Sequence, residues 1–144
     1  MQHYPHHYRA AGRATTDSSV TVSSPGLPDL DTTPPPEFGG PEGTWSPETL
    51  LVASVADCFI LTFRAIARAS SLAWTSLACE AQGTLERVDG VTRFTRFDLV
   101  ATLEVPAGTD VEKADRILHK SESACLITAS LKTDNHLETK VVTV

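Results

Sequence analysis

The sequence predicts an α+β fold, and three observations lead to that class. Two segments carry apolar residues at helical spacing, one beginning near Ser46 and the other near Thr109. Between them, two runs of alternating apolar residues flank Asp89 and Gly90, a pair that is a strong signal for a tight hairpin turn. Further strand patterns precede the first helix and follow the second. This order, with a hairpin between two helices and strands outside them, is typical of α+β domains.

Length and composition favour one globular domain. The chain has 144 residues, 41% of them hydrophobic, and a formal net charge of −6. The negative charge argues against nucleic acid as a partner, because phosphate binding needs a basic surface. No apolar run is expected to span a bilayer, and the first residues lack the apolar segment of a secretory signal. We therefore expect a soluble cytoplasmic protein with no membrane partner. Its single domain, residues 1–144, would comprise N-terminal strands and a loop (1–46) and a core (47–144).

The N-terminal third divides into strands and a loop. Residues 7–24 are polar and rich in Thr, Ser and Val, which predicts two short strands. Residues 25–47 hold seven of the nine prolines and four of the eight glycines. A segment of that composition cannot maintain a helix or a central strand, so a long extended loop is predicted.

The first helix begins directly after this loop. Ser46 suits the N-cap position, Pro47 the first helical turn, and the helix should continue to residue 69. Asp57 is the only charged residue within residues 50–63, so the helix is apolar on nearly every side. Such a helix must be buried on nearly every side. Because one small domain has few elements with which to surround it, we infer a central helix in a dimer core.

The remaining elements follow from turn and cap signals. The hairpin around Asp89 and Gly90 is followed by a second helix, for which Thr109 and Glu112 predict a capping box. That helix carries one inward stripe at helical spacing: Ala114, Ile117, Leu118, Ser121 and Cys125. A bend is expected at residues 121–123, and a final strand at residues 137–144.

The three cysteines have different expected roles. Cys79 occupies one slot of the alternating face of the hairpin, which a small buried hydrophobic residue explains fully. Cys58 lies mid-helix on a stripe with Leu51, Val55 and Thr62, and Cys125 lies on the stripe of the second helix. Either one alone is explained as a core residue, but two inward cysteines on different helices could meet. Burial raises the pKa of a thiol, so a reactive Cys58 requires a nearby cation.

No metal or cofactor is predicted. The chain has no CxxC motif and no closely spaced Cys/His pair. Three histidines do cluster at positions 3, 6 and 7, and a polar chain terminus explains them.

The segment SPETLLVASVADCFILTFRAIA resembles the central helix of the OsmC/Ohr family of thiol peroxidases. The residues that carry the resemblance are Pro47-Glu48, Leu50-Leu51, Ala53 and Cys58. A second segment, ACLITASL, resembles the region of the family's second cysteine and contributes Cys125. The resemblance covers essentially residues 44–144.

The resemblance implies an intertwined homodimer whose long central helices pack against antiparallel sheets. It also implies reduction of organic hydroperoxides and, more weakly, of hydrogen peroxide, without a prosthetic group. Cys58 would attack the peroxide and become a sulfenic acid, and Cys125 would condense with it to a disulfide. A dithiol reductant, such as a lipoylated protein, would then restore both thiols.

The family uses an arginine from the N-terminal strands, held by the glutamate at the helix start, which is Glu48 here. The helical rise puts Glu48 about 15 Å from Cys58, so it would act through a bridging arginine or in the other subunit. Arg13 is the first choice for this arginine and Arg9 the alternative. The competing function is a non-catalytic dimeric protein that binds a small apolar ligand on the same fold, with its cysteines as core residues.

Overall fold

The computed structural model describes residues 1–144, which form two compact units, Met1–Leu50 and Leu51–Val144. The N-terminal unit contains one antiparallel sheet of three short strands, β1 (Ala11–Arg13), β2 (Val20–Ser23) and β3 (Leu30–Thr32). Strands β1 and β2 are the two predicted from residues 7–24. The prediction that both units form a single domain stays a prediction.

The proline-rich segment has more structure than the predicted loop. It contains β3, which pairs with β2, and a 3-10 turn at Pro36–Phe38. The backbone N–H of Thr33 donates to the Trp45 carbonyl at 3.0 Å, which closes residues 33–45 into a loop. Proline fixes φ near the value that a 3-10 turn needs at its start, so consecutive prolines favour the turn rather than preventing it.

The first helix, α1 (Pro47–Ala69), begins as predicted. The Thr49 N–H donates to Ser46 Oγ at 3.1 Å, and the Ser46 N–H donates to Thr49 Oγ1 at 2.9 Å. This reciprocal pair satisfies backbone donors that a helix start leaves free. Ser46 is therefore confirmed as the N-cap.

Helix α1 is more exposed than its composition would lead one to expect. Its buried residues are Val55, Phe59, Phe63 and Ala67 only, and Leu61 is 50% exposed. With a mean hydropathy of 1.9 over its most apolar window, α1 is by length and composition able to cross a membrane. The expectation that no apolar run reaches that length is thus wrong by this criterion, although core helices of soluble proteins also meet it.

The C-terminal unit is built on a sheet in the order β4 (Ser76–Val88), β5 (Val91–Val105), β6 (Asp134–Thr143). Strands β4 and β5 form the predicted hairpin. Asp89 and Gly90 at its turn have φ values of 50° and 78°. Both central residues of a type I′ turn need positive φ, which explains why this dipeptide marks the turn.

Strand β6 pairs with β5 in parallel, so the sheet is mixed and the expectation of purely antiparallel sheets needs correction. The physical reason is the connection between them. Helices α2 (Val111–Ser123) and α3 (Leu126–Ala129) carry the chain back along the sheet, and a helical crossover is what a parallel neighbour requires.

The N-cap of α2 is Asp110 and not the predicted Thr109. Asp110 Oδ1 accepts a hydrogen bond from the Lys113 N–H at 2.9 Å. The Thr109 N–H instead donates to the Pro106 carbonyl at 3.2 Å, which places Thr109 in the preceding turn. Aspartate is as good an N-cap as threonine, and its charge also favours the positive end of the helix dipole.

The hydrophobic core lies in the C-terminal unit and joins α1, β5 and α2. Its fully buried large side chains include Phe59, Phe63, Phe97, Leu103 and Leu118. Helix α2 contributes four of the five residues of the predicted stripe, because only Cys125 lies beyond the helix end. The class is α+β, as predicted.

Candidate active site

Cys58 lies in the middle of α1 and is half-buried. Its two nearest buried neighbours along the helix, Val55 and Phe59, point into the core. Because side chains three and four positions apart share one face of a helix, the sulfur lies at the edge of the buried face. This position fixes the thiol on a rigid element while leaving it partly accessible.

Cys125 lies at the junction of two helices. Helix α2 ends at Ser123, and Cys125 occupies the position before α3, with extended backbone and 2% exposure. The predicted place on the stripe of α2 is therefore corrected: the inward direction is right, but the helix has already ended. Hydroxyls near the end, those of Ser121 and Ser123, donate to carbonyls four residues back, a pattern that weakens helices.

Cys58 and Cys125 are both free thiols of the C-terminal unit, and they lie close enough for Cys125 to raise the pKa of Cys58. The pKa of Cys58 is raised, first by burial and also by the neighbouring Cys125 thiol. The backbone N–H of Ile127 and the Thr62 hydroxyl act in the opposite direction and lower this pKa. No cation is among these groups. The groups of the C-terminal unit that lower the pKa of Cys58 are thus one hydroxyl and one backbone N–H, and neither carries a positive charge.

Cys79 has a different environment. Burial, followed by the charges of Cys125 and Glu80, raises its pKa to about 11. At neutral pH its thiol is almost entirely protonated, and a protonated thiol is a poor nucleophile. Its half-buried side chain packs against the hydrophobic core, in agreement with the predicted core role.

The other predicted site residues, Arg13 and Glu48, belong to the N-terminal unit, and they do not pair with each other there. Arg13 forms an ion pair with Asp29 at 3.5 Å, and both side chains are more than half exposed. Glu48 forms no ion pair, and its Oε2 atom is buried without a hydrogen-bond partner. The alternative, Arg9, is exposed, and its carbonyl accepts a hydrogen bond from Ser24. The catalytic roles of these three residues remain predictions.

An open groove lies on the surface of the C-terminal unit. Its volume is about 350 Å³, its apolar lining consists of Leu51, Phe94 and Leu131, and its polar lining consists of Arg93, Ser130, Lys132 and Thr133. Leu51 lies on α1 two turns before Cys58, on the stripe that the sequence indicated. No three His, Cys, Asp or Glu side chains converge in a way that would hold a metal ion.

Two contributors to the site were absent from the sequence-based expectations. The Ile127 N–H depends on the chain path after α2, for which the sequence has no local signal. Thr62 was assigned only to the stripe of Cys58, yet its position four residues later already predicts contact between the two side chains.

Comparison with known proteins identifies the family. A sequence model of one protein family, which is described as "OsmC-like protein", matches residues 39–140 of this chain. The chain therefore belongs to the OsmC/Ohr family.

Relatives and solved structures agree with this assignment. The peroxiredoxin OsmC of Escherichia coli (strain K12) is 28% identical over 130 residues, which cover 90% of this chain and 85% of the relative. An OsmC-like protein of unknown function from Vibrio cholerae has a TM-score of 0.84 at 21% identity, over 94% of this chain and 99% of that one. An organic hydroperoxide resistance protein OsmC from Legionella pneumophila has a TM-score of 0.79 at 21% identity, covering 96% of this chain and 99% of its own. Both structures support the fold.

Proposed function

We propose that the protein is a cytoplasmic thiol peroxidase that reduces organic hydroperoxides and, more weakly, hydrogen peroxide. The observation that carries the proposal is the proximity of two free thiols, Cys58 and Cys125, which lie far apart in the sequence. The name of the Escherichia coli relative, peroxiredoxin OsmC, supports the same activity.

In the first step the Cys58 thiolate attacks one oxygen of the hydroperoxide. An S–O bond forms while the O–O bond breaks, the alcohol leaves after gaining a proton, and the sulfur is oxidised by two electrons to a sulfenic acid. The departing alkoxide-like oxygen needs a positive or hydrogen-bonding group near it. Arg13, or else Arg9, would supply this charge and also lower the pKa of Cys58.

In the second step the Cys125 sulfur attacks the Cys58 sulfenic acid. A disulfide forms, and the hydroxyl leaves as water with the proton from Cys125. A dithiol reductant, such as a lipoylated protein, then reduces the disulfide by exchange and is itself oxidised to a disulfide. The open groove with Leu51, Phe94 and Leu131 supports an organic rather than a purely polar substrate.

Glu48 would hold the activating arginine. A buried carboxylate oxygen without a partner is costly, so the unpaired Oε2 of Glu48 supports a cationic partner that this chain alone does not provide. The exposed apolar face of α1, with Leu61 half exposed, likewise supports a homodimer with α1 at its centre.

Turnover of cumene hydroperoxide with dihydrolipoamide tests the proposal. Cys58→Ser should lose activity by about 10³-fold or more, because the nucleophile itself is removed. Cys125→Ser should react once and stop as a Cys58 sulfenic acid. Cys79→Ser is the matched control and should keep native activity.

A native protein that is inert, with all thiols still reduced under excess peroxide, would contradict the peroxidase proposal. The alternative, a non-catalytic dimeric protein that binds a small apolar ligand, would then be the function to pursue.

A further inference from the structure

Thr62 stands one helical turn after Cys58 on the same face of α1. Its Oγ1 atom lies 3.9 Å from the Cys58 sulfur, and its side chain is half-buried. This separation is near the outer limit of a hydrogen bond between a hydroxyl and a sulfur, and either atom can be the donor. Thr62 therefore contacts the atom that would react with the peroxide.

The orientation of this hydroxyl differs from that of the serines in or beside the helices. The hydroxyl of Ser54, also in α1, donates to the carbonyl of Leu51 at 2.7 Å. Three further serine hydroxyls donate to the carbonyl four residues earlier in the chain, those of Ser121, Ser123 and Ser130. Back-bonding of this kind is the usual use of a helical hydroxyl. Thr62 has no such bond, and its only side-chain partner is the Cys58 sulfur.

We propose that the Thr62 hydroxyl donates a hydrogen bond to the Cys58 thiolate and holds the sulfur in its attacking position. The inference deepens the proposed function, since it rests on Cys58 being the nucleophile. A thiolate carries no proton, so in the ionised state only the hydroxyl can donate.

The backbone of another element also affects the same thiol. The Ile127 N–H, in α3, acts on Cys58 together with Thr62, and both lower its pKa. Burial and Cys125, the titratable group that faces Cys58, raise it. Among these groups, Thr62 is the one whose side chain contacts the Cys58 sulfur, at 3.9 Å, so it carries the proposal. Loss of the Thr62 hydroxyl therefore leaves more of Cys58 protonated at neutral pH.

Three variants of the full-length protein test this role. Thr62→Val removes the hydroxyl at nearly constant volume, and Thr62→Ser keeps it. Ser54→Ala removes a hydroxyl from the same helix that bonds a carbonyl instead. The readout is the rate of Cys58 alkylation by iodoacetamide against pH, followed by mass spectrometry of the Cys58 peptide.

In Thr62→Val the midpoint of the alkylation profile should rise by about half to one pH unit, so that the rate at pH 7 falls roughly three- to tenfold. Thr62→Ser should restore the native midpoint, and Ser54→Ala should leave it unchanged. The rate of peroxide consumption should fall by a similar factor in Thr62→Val.

A native midpoint in Thr62→Val would overturn the inference, as would an equal shift in Ser54→Ala. This result is distinguishable from failure of the proposed function. If the native protein consumes no peroxide but Thr62→Val still shifts the midpoint, the hydrogen bond stands and the peroxidase proposal fails. If the native protein is active and Thr62→Val has native alkylation and peroxide kinetics, the peroxidase stands and the role of Thr62 fails.

Discussion

The two compact units of this protein differ in how much holds them together. The N-terminal unit has strands of three or four residues and buries only Thr32, Pro35 and Ser46. The C-terminal unit has strands of 10 to 15 residues and contains the entire buried hydrophobic core. The paired thiols belong to the second unit, whereas the arginine and glutamate expected to activate them belong to the first.

In the proposed site the two units therefore have different roles: the C-terminal unit positions the sulfurs, and the N-terminal unit would provide positive charge. Packing in the C-terminal unit fixes where the sulfurs lie, because core side chains interdigitate and resist displacement. The same burial raises the pKa of Cys58, so the packing that positions the thiol also makes it less reactive. In the proposed site a cation would offset this effect, and the N-terminal unit carries the predicted residues, Arg13 and Arg9.

Truncation of one leucine in each unit should give the largest contrast in stability. Leu118→Ala opens a cavity at a fully buried position in α2 and should lower the free energy of unfolding by about 3 to 4 kcal/mol. Leu30→Ala, at a half-buried position in β3, should cost about 1 kcal/mol or less. Urea denaturation followed by circular dichroism measures both. Equal losses would show that the two units are equally well packed.

Substitution of one glycine in each unit should give a smaller difference in the free energy of unfolding. A Cβ atom added at Gly83 would lie within 3 Å of Phe94, Phe97 and Val52, whereas one added at Gly12 would meet only Val20 at 3.6 Å. We expect Gly83→Ala to destabilise the protein by about 1 to 3 kcal/mol, because neighbouring side chains must shift. Gly12→Ala should change stability by less than about 0.5 kcal/mol. A tolerated Gly83→Ala would mean that the core yields more easily than its burial indicates.

Arginine variants test whether the N-terminal unit provides the positive charge that lowers the pKa of Cys58. Within the C-terminal unit the pKa of Cys58 is raised above its ordinary value of 9.0. Loss of an activating cation should therefore move the alkylation midpoint upward, and a midpoint that is higher by one pH unit leaves about tenfold less thiolate at neutral pH. We expect this change in Arg13→Met, and native behaviour in Arg9→Met as the control. The reverse result would transfer the role to Arg9, and a native midpoint in both variants would remove the N-terminal unit from the chemistry.

The smallest effect is expected at the exposed pair Arg13–Asp29. Both side chains are more than half exposed, and solvent-exposed ion pairs contribute little to stability. Asp29→Asn should change the free energy of unfolding by less than about 0.5 kcal/mol and leave the thermal midpoint within a degree or two. A much larger loss would indicate that this pair, rather than the short strands, holds the N-terminal unit together.

Local signals in the sequence were sufficient for much of the fold. The Asp89-Gly90 turn, the Ser46 cap and the extent of α1 each depend on neighbouring residues, and the structure confirms all three. Pairing between distant segments was harder to predict. The parallel register of β6 on β5 and the strand β3 inside the proline-rich segment depend on tertiary contacts, for which the sequence has no short-range pattern.

The candidate site shows the same limit. The resemblance predicted Cys58 and Cys125 as a reacting pair. Their thiols are close enough for Cys125 to raise the pKa of Cys58, and the reaction between them stays a prediction. The Ile127 N–H could not be predicted, because it depends on how the chain turns between α2 and α3. Arg13 and Asp29 form an ion pair that the sequence did not indicate, because the local course of the strands determines which exposed charges lie close together.

The most direct test of the account is to treat the reduced protein with one equivalent of an organic hydroperoxide and map its disulfides by mass spectrometry. We expect the intact mass to fall by about 2 Da, as one disulfide forms, with Cys58 linked to Cys125 and Cys79 still free. A disulfide that includes Cys79, or a protein whose three thiols remain reduced, would contradict the assignment of Cys58 and Cys125 as the reacting pair.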